Sequence, residues 1–511
     1  MRAWHLLPHL LLLSLAQNDP SNPPLDAIPL SIIPSITHQK IDGFGICEAF
    51  QRANAIINLP EPARTEVLDL LFHPTKGAAF SILRIGLGSS PDSRGDHMNS
   101  PQPNASSVFT WDGKDSGQVW VARQAQSYGV KTFIADAWSA PGYMKTNRRD
   151  DMGGWLCGVR GQGQGPECKG VNWIQGYAQY LAKYVRVWVE AGIPIKYLGF
   201  LNEPNLVKNY ATMLSDGYQA ADVMPAAIAA LKENGLSDVG ISCCEGQGWS
   251  MQRQLLAEMQ DAGAEKGLAL VSTHTYKGGP SKPDSPFNTT LPVWVTEISP
   301  IMDRLGMTQT WYKNHTENEG LLHAINIHEA LTTGNVSAYI YWIGAGQAGG
   351  DVPFILAPSS REGSRGQGMW GENENATQVE VPTKPLYTIG STYWGSAQYS
   401  RFIRPGADRI EVKQGWYLEE NAPINSSLLV TAFRNPDDSI VVQAINNGDN
   451  DLAVYLHPAM RNRWSRTGST CQVTNWVSDG VKKFEHIGTA VVEVISATKN
   501  YTLFRRSLNT S

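Results

Sequence analysis

Apolar positions along this chain fall into two textures. Up to about residue 395, short apolar runs bounded by turn residues alternate with segments whose apolar positions recur every three or four residues. The runs at 41–46, 80–85, 131–137, 197–201, 238–243, 268–274, 293–297 and 338–342 predict eight strands. The clearest helix spans 173–190, where Trp173, Tyr177, Tyr180, Leu181, Tyr184, Val185 and Trp188 share one face and Gly192 closes it. Further helices are predicted near 63–72, 117–128, 217–234, 321–331 and 386–399, and the short segment between the sixth and seventh strands implies a reduced helix there. Strands interleaved with helices imply parallel pairing through crossovers, hence an α/β (β/α)8 TIM barrel. In such a barrel the chemistry lies on the loops that follow the strands' C-terminal ends.

Beyond about residue 400 the pattern changes to alternating strands, such as 428–433, 440–445 and 490–495, separated by Asn-Pro, Asp-Asp and Asn-Gly-Asp turns. This predicts an attached side β-sandwich domain. Ile28, Leu30, Ile32 and Ile33, set among prolines, predict an edge strand added to it ahead of the barrel. No internal repeat and no Ser/Thr-rich linker is present. The expected organisation is a signal peptide at 1–16, an N-terminal segment of the side domain at 17–40, the barrel at 41–399 and the β-sandwich at 400–511.

Composition narrows the partners. With 511 residues and 42% hydrophobic content the chain can bury a barrel-sized core and a companion. A formal charge of −5 without a basic stripe argues against nucleic acid or an anionic membrane as partner. Arg2, the apolar run to Leu15 interrupted by Pro8 and His9, and the small residues Ser14 and Ala16 read as a secretory signal too short to span a bilayer. A secreted, extracellular, monomeric protein is therefore expected. Sequons at Asn104, Asn288, Asn314, Asn335, Asn375, Asn425, Asn500 and Asn509 agree with that route, and several are expected to be glycosylated. In an oxidising compartment Cys157 and Cys168, which bracket a Gly-rich loop, are the pair expected to bond. Cys47, Cys243, Cys244 and Cys471 stay open between pairing and buried thiols, and no spacing makes a zinc site.

Two glutamates end predicted strands. The run Tyr197-Leu-Gly-Phe-Leu stops at Asn202-Glu203-Pro204, and Pro292-Val-Trp-Val-Thr delivers Glu297 to the same rim three strands on. Either alone reads as well as a solvated cap or an ion-pair partner. Together they meet the needs of glycosidic cleavage, where one carboxylic acid protonates the leaving oxygen and a second carboxylate attacks the sugar carbon. The placement resembles the large clan of retaining glycosidases, which implies Glu203 as acid/base after Asn202, Glu297 as nucleophile, and carboxyls about 5–5.5 Å apart. Arg84 could hold Glu297 ionised and depress its pKa, or form an ordinary strand-end ion pair. His274 and Tyr276 could bond Glu297 or a sugar, although a lone histidine is more often structural. Trp138 and Trp342, at strand ends, could offer faces to pyranose C–H groups. Most of the sixteen tryptophans must be core.

The stretches Ile41-Asp-Gly-Phe-Gly-Ile-Cys-Glu-Ala-Phe-Gln-Arg-Ala-Asn54, Ser81-Ile-Leu-Arg-Ile-Gly-Leu-Gly-Ser-Ser-Pro91, Asp136-Ala-Trp-Ser-Ala-Pro-Gly-Tyr-Met-Lys-Thr-Asn147 and Gly199-Phe-Leu-Asn-Glu-Pro204 resemble glycoside hydrolase family 30, within it the fungal subfamily 7 xylanases and xylobiohydrolases. The resemblance implies activity on β-1,4-xylan of plant cell walls, often glucuronoxylan, with no cofactor and no metal. It also implies that Arg52, otherwise a surface arginine at a helix start, binds a uronate carboxylate with its planar fork. Asn99 matches a residue that closes the glycone side. Cys47 departs from the serine expected there, and the Gly-rich segment 344–384, with Arg361 and Arg365, departs from the family pattern. The same fold acting on β-1,6-glucan or β-1,6-galactan is the nearest rival. A non-catalytic carbohydrate-binding barrel would be expected to lack one of the glutamates. A metal-dependent hydrolase finds no HxH or HExxH spacing among the eleven histidines.

Overall fold

The computed structural model describes residues 11–12, 27–92, 97–280, 285–300, 306–312, 316, 318–347, 352–357, 386–415, 424–448, 450, 452–458, 470–478, 485–497 and 502–506. Gly43–Cys47, Ile82–Leu87, Thr132–Ala137, Ile195–Gly199, Gly240–Gly246, Leu270–His274, Val293–Glu297 and Ala338–Tyr341 form a closed barrel. Its neighbours follow chain order, the eighth strand closes on the first, and every pair is parallel.

The fourth strand starts earlier than the apolar run suggests, because Ile195 already pairs with Phe133. It also stops earlier: the Phe200 carbonyl accepts the Tyr177 hydroxyl at 2.9 Å instead of a ladder donor. That early stop swings Asn202 and Glu203 over the barrel mouth. Inside the barrel, Ile82, Ile134, Leu270, Trp294, Ala338 and Ile340 form a buried apolar layer. Stepping two residues toward the C-terminal ends brings Arg84, Asp136, Ser272, Thr296 and Trp342 into the next layer, since alternate strand residues face the same side. A polar, charged layer therefore rests on an apolar plug, beneath the loops.

Helices Ala63–Phe72, Gln118–Ser127, Ile174–Glu190, Gly217–Glu233, Gly320–Thr332 and Ser391–Ser400 cover the outside, close to the predicted spans. Trp249–Asp261 is a further helix that the periodicity did not disclose. Its buried positions are Trp249, Gln252, Leu255, Leu256 and Met259, so a glutamine occupies a core slot and breaks the apolar pattern. Gln252 is there to serve the fifth strand: its Oε1 accepts the Gly246 amide at 2.9 Å. The predicted start of the last helix is corrected, since Thr388–Ile389 pairs antiparallel with Ile355 and Leu356 before the helix begins. Between the sixth and seventh strands no helix occurs among the described residues.

The side sheet runs in the order Leu452–Pro458, Ile28–Lys40, Asp408–Gln414, Leu428–Arg434 and Ile440–Asn446, with the two-residue strand Leu11–Leu12 beside Leu452. Ile28–Lys40 is thus interior to the sheet, not an edge strand. It pairs parallel with Leu452–Pro458 and antiparallel with Asp408–Gln414; Pro29 sits at the strand's start opposite Tyr455, and Pro34 falls in the register shift between Ile33 and Thr37. Phe433, Val441 and Ile445 pack one face of this sheet onto the barrel's own core. Thr470–Val477, Glu485–Ala497 and Thr502–Arg506 form a second, antiparallel sheet. Among the described residues no helix is long and apolar enough to cross a membrane.

Candidate active site

The layer above the apolar plug converges on one guanidinium. Arg84 is fully buried. Its Nη1 donates to Glu297 Oε2. Its Nη2 donates to Asp136 Oδ2 at 2.6 Å and to Asn202 Oδ1 at 2.7 Å, and lies 3.4 Å from Glu245 Oε2. Four barrel strands or their loops are thereby joined through one planar group, which a lysine's point charge could not do.

Glu297 ends its strand in register with His274 of the neighbouring strand. Its other oxygen accepts the Tyr276 hydroxyl at 3.0 Å. Glu203 sits past the end of its strand with φ of +43°, an uncommon conformation for a residue with a side chain. Its amide donates to the Glu245 carbonyl at 2.9 Å, and its Oε1 is 3.2 Å from His274 Nδ1. One ligand atom each from Glu203, His274 and Glu297 lie within 4.8 Å of one another, so the two carboxylates approach to at most that distance. Both are nearly inaccessible, Glu203 at 5% exposure and Glu297 at 3%.

Burial is the strongest influence on Glu297 and raises its pKa, against the downward pull of His274 and Arg84. The expectation that Arg84 depresses it is corrected in that respect: the pull is present, but desolvation outweighs it. Burial likewise lowers His274, yet the charges of Glu297 and Glu203 and the bonds to Glu203 and Glu245 carry it up to about 10. A carboxylate oxygen beside each ring nitrogen favours the protonated form.

Asp136 and Glu245 complete the cluster, and the sequence reading missed both. Burial and the neighbouring Glu245 charge raise Asp136, while Glu245 is held low by Arg84, His274 and Thr296 despite its own burial. A signal existed for each. Asp136 interrupts the apolar run Phe133-Ile-Ala-Asp-Ala, and Glu245 is the last residue but one of the fifth strand, much as Glu297 ends the seventh.

Trp138 and Trp342 do not offer open faces. They are 1% and 2% exposed, lie 5.7 Å apart and meet Phe50 edge-on at 5.2 and 6.0 Å. The Arg84 guanidinium covers the Trp138 ring at 4.5 Å, so the face expected for a sugar is occupied by the cation. Arg52 and Asn99 lie on the loops after the first and second strands. Arg52 is half-buried with its guanidinium 5.9 Å from the Phe50 ring, and Asn99 is exposed beside buried Met98. Cys47 is a buried free thiol whose pKa burial pushes up.

Cys157 and Cys168 are bonded with Sγ atoms 2.07 Å apart, and Cys243 is bonded to its neighbour Cys244 directly before Glu245. The side chain of Cys471 lies outside those described. Asn104, Asn288 and Asn335 are exposed and Asn425 is half-buried; Asn314, Asn375, Asn500 and Asn509, with Arg361 and Arg365, fall outside the described residues.

Comparison with known proteins gives a consistent picture. Residues 41–352 match the profile of glycosyl hydrolase family 59, and residues 406–474 that of the glycosyl hydrolase family 30 beta sandwich domain. The catalytic domain of GH30 xylanase C from Talaromyces cellulolyticus superposes with a TM-score of 0.71 at 32% identity, covering 94% of this chain and 100% of that one. The endo-1,6-beta-D-glucanase BGN16.3 of Trichoderma harzianum is 25% identical over 87% of this chain and 85% of its own length. An endo-1,6-beta-D-glucanase of Neurospora crassa is 23% identical over 87% and 86%. The two profiles name different families, but the full-length match to a family 30 enzyme spans both regions and decides between them.

Proposed function

The chain belongs to glycoside hydrolase family 30, and from that premise we propose that it is a secreted, glycosylated enzyme hydrolysing β-1,4-xylan with retention. The observation that carries the mechanism is the approach of Glu203 to Glu297 within 4.8 Å. Inverting enzymes need about 6.5–9.5 Å to admit a water between the carboxyls, whereas retaining ones place them about 5–5.5 Å apart. Glu297, which accepts from Arg84 and Tyr276, attacks the anomeric carbon as the glycosidic C–O bond breaks. Glu203 gives its proton to the departing oxygen. Water then bonds to the same carbon, its proton passes to Glu203, and Glu297 is released.

Full-length similarity to xylanase C supports xylan as substrate, with Arg52 on the loop after the first strand as the group suited to a glucuronic acid branch. A second reading, β-1,6-glucan, is favoured by the fungal endo-1,6-glucanases that align along 87% of the chain. Hydrolysis of glucuronoxylan, unsubstituted xylan, β-1,6-glucan and β-1,6-galactan by purified enzyme tests the proposal. Release of xylooligosaccharides supports it; turnover of β-1,6-glucan alone transfers the mechanism to that substrate. No turnover of any β-glycan would leave a carbohydrate-binding barrel.

A further inference from the structure

We infer that Glu245 is a positioning residue of this reaction: with Glu297 and Glu203 it holds His274 protonated, and by taking one N–H of that ring it aims the other at Glu203. The inference deepens the hydrolase reading and depends on it. Glu245 Oε2 lies 2.8 Å from His274 Nε2 and accepts the Thr296 hydroxyl at 2.5 Å, with Arg84 Nη2 at 3.4 Å. The next anion, Glu297 Oε2, is 3.7 Å from the same ring nitrogen, beyond a hydrogen bond, so Nε2–H is committed to Glu245. Nδ1 is then left to face Glu203 at 3.2 Å.

The same residue holds Glu203 through the backbone, because the Glu245 carbonyl accepts the Glu203 amide at 2.9 Å. Glu245 itself has φ of +58° and is locked on either side, by the Cys243–Cys244 bond before it and by Gln252, which binds the Gly246 amide after it. A rigid strand end therefore fixes the general acid by its main chain and its histidine partner by a side chain.

The groups facing His274 are Glu203 from the loop after the fourth strand, Glu245 from the fifth, Glu297 from the seventh and Tyr276 beyond its own strand, with Arg84 and Asp136 behind Glu245. During glycosylation Glu203 loses its proton to the leaving oxygen, and its new charge meets the Nδ1–H donor. During deglycosylation Glu203 recovers a proton from water. His274 keeps both of its protons throughout, so it acts as a fixed donor and not as a shuttle.

Nitrogen-15 labelling of the histidines in the full-length protein tests this without relying on activity, with a His274→Asn variant to assign the signal. Wild type should show both His274 nitrogens protonated to about pH 8; a neutral ring at about pH 7 would overturn the inference. Glu245→Gln should lower the pH at which the ring loses its second proton. It should lower kcat by roughly ten- to a hundredfold with KM changed less than about threefold. The alkaline limb of its kcat/KM profile should move relative to wild type, since the acid faces a cation over a narrower pH range. Glu245→Asp should keep the imidazolium and recover part of kcat. An imidazolium and pH profile unmoved in Glu245→Gln would reject the role even in an active enzyme. Failure of the hydrolase reading would show separately, as a wild type that turns over no glycan.

Discussion

An oxygen of Glu203 and an oxygen of Glu297 lie within 4.8 Å of one another, although they project from strands on different sides of the barrel mouth. That spacing predicts stereochemistry before any substrate is known. The first product seen by proton NMR should be the β-anomer, with the α-anomer growing in only by mutarotation. Azide added to Glu297→Gly should yield the α-glycosyl azide, because the small anion attacks from the vacated face. Added to Glu203→Gly it should yield the β-glycosyl azide through the covalent intermediate. An α-configured first product from wild type would exclude retention.

Much of this arrangement was legible in the sequence, and the reasons differ residue by residue. The eight strands declared themselves because parallel strands buried on both faces are near-continuous apolar runs. Glu203 and Glu297 stood out because each ends such a run with a charge. Glu245 did not, because the predicted run stops at residue 243 while the strand continues to Gly246, and the helix after it was hidden by Gln252. The tryptophans differ for another reason: strand-end position says which residues reach the mouth, not that Arg84 covers the Trp138 ring and that Trp342 packs against Trp138 and Phe50. The side-sheet strand 28–40 was read as an edge because its prolines lack donors, whereas Pro29 lies at the strand's start and Pro34 in a register shift.

Arg84 should not tolerate lysine. Its two terminal nitrogens serve Glu297, Asp136 and Asn202 from one plane, and an ammonium can replace only some of these contacts. Arg84→Lys should lower kcat by roughly ten- to a hundredfold, the loss of one charged hydrogen bond worth about 1.5–3 kcal/mol. Arg84→Met should lower it further and also reduce Tm, because Asp136, Glu245 and Glu297 lose a buried counter-charge. Kinetics and thermal melts on the two variants check both statements.

Acid should destabilise the fold partly through His323. This buried imidazole bonds Ser396 at 2.8 Å, and burial lowers its pKa from 6.5 to about 3. Below about pH 6.5 the unfolded chain takes up a proton that the folded ring refuses until about pH 3, so stability falls as pH drops through that window. His328, lowered to about 4, adds the same sign. Between about pH 6.5 and 4.5 each group should cost roughly 2–3 kcal/mol. His323→Gln should therefore lose less Tm than wild type over that interval. An equal loss in both would assign the acid sensitivity to other groups.

The Cys157–Cys168 bond closes a loop of short separation over the strand-three side of the mouth. Non-reducing peptide mapping of the purified protein should recover these two cysteines in one linked species, with Cys47 alkylated only after unfolding because it is buried. Replacing both by alanine should lower stability by about 2–4 kcal/mol. Recovery of two free thiols from folded protein would remove the bond from the account.

The proposed substrate choice is tested at Arg52. On the proposed glucuronoxylan reading its guanidinium pairs with the uronate carboxylate, and Arg52→Ala loses a charge-assisted contact worth about 1.5–3 kcal/mol, or roughly ten- to a hundredfold in kcat/KM. Unsubstituted xylooligosaccharides carry no carboxylate, so the same variant should change little on them. The comparison cancels general damage to the loop, which would lower both. Equal losses on the two substrates would make Arg52 a structural residue, its guanidinium 5.9 Å from the Phe50 ring having a packing role. Absence of any glucuronoxylan preference in wild type would instead withdraw the uronate reading and leave β-1,6-glucan as the substrate to test, with the Glu203 and Glu297 chemistry unchanged.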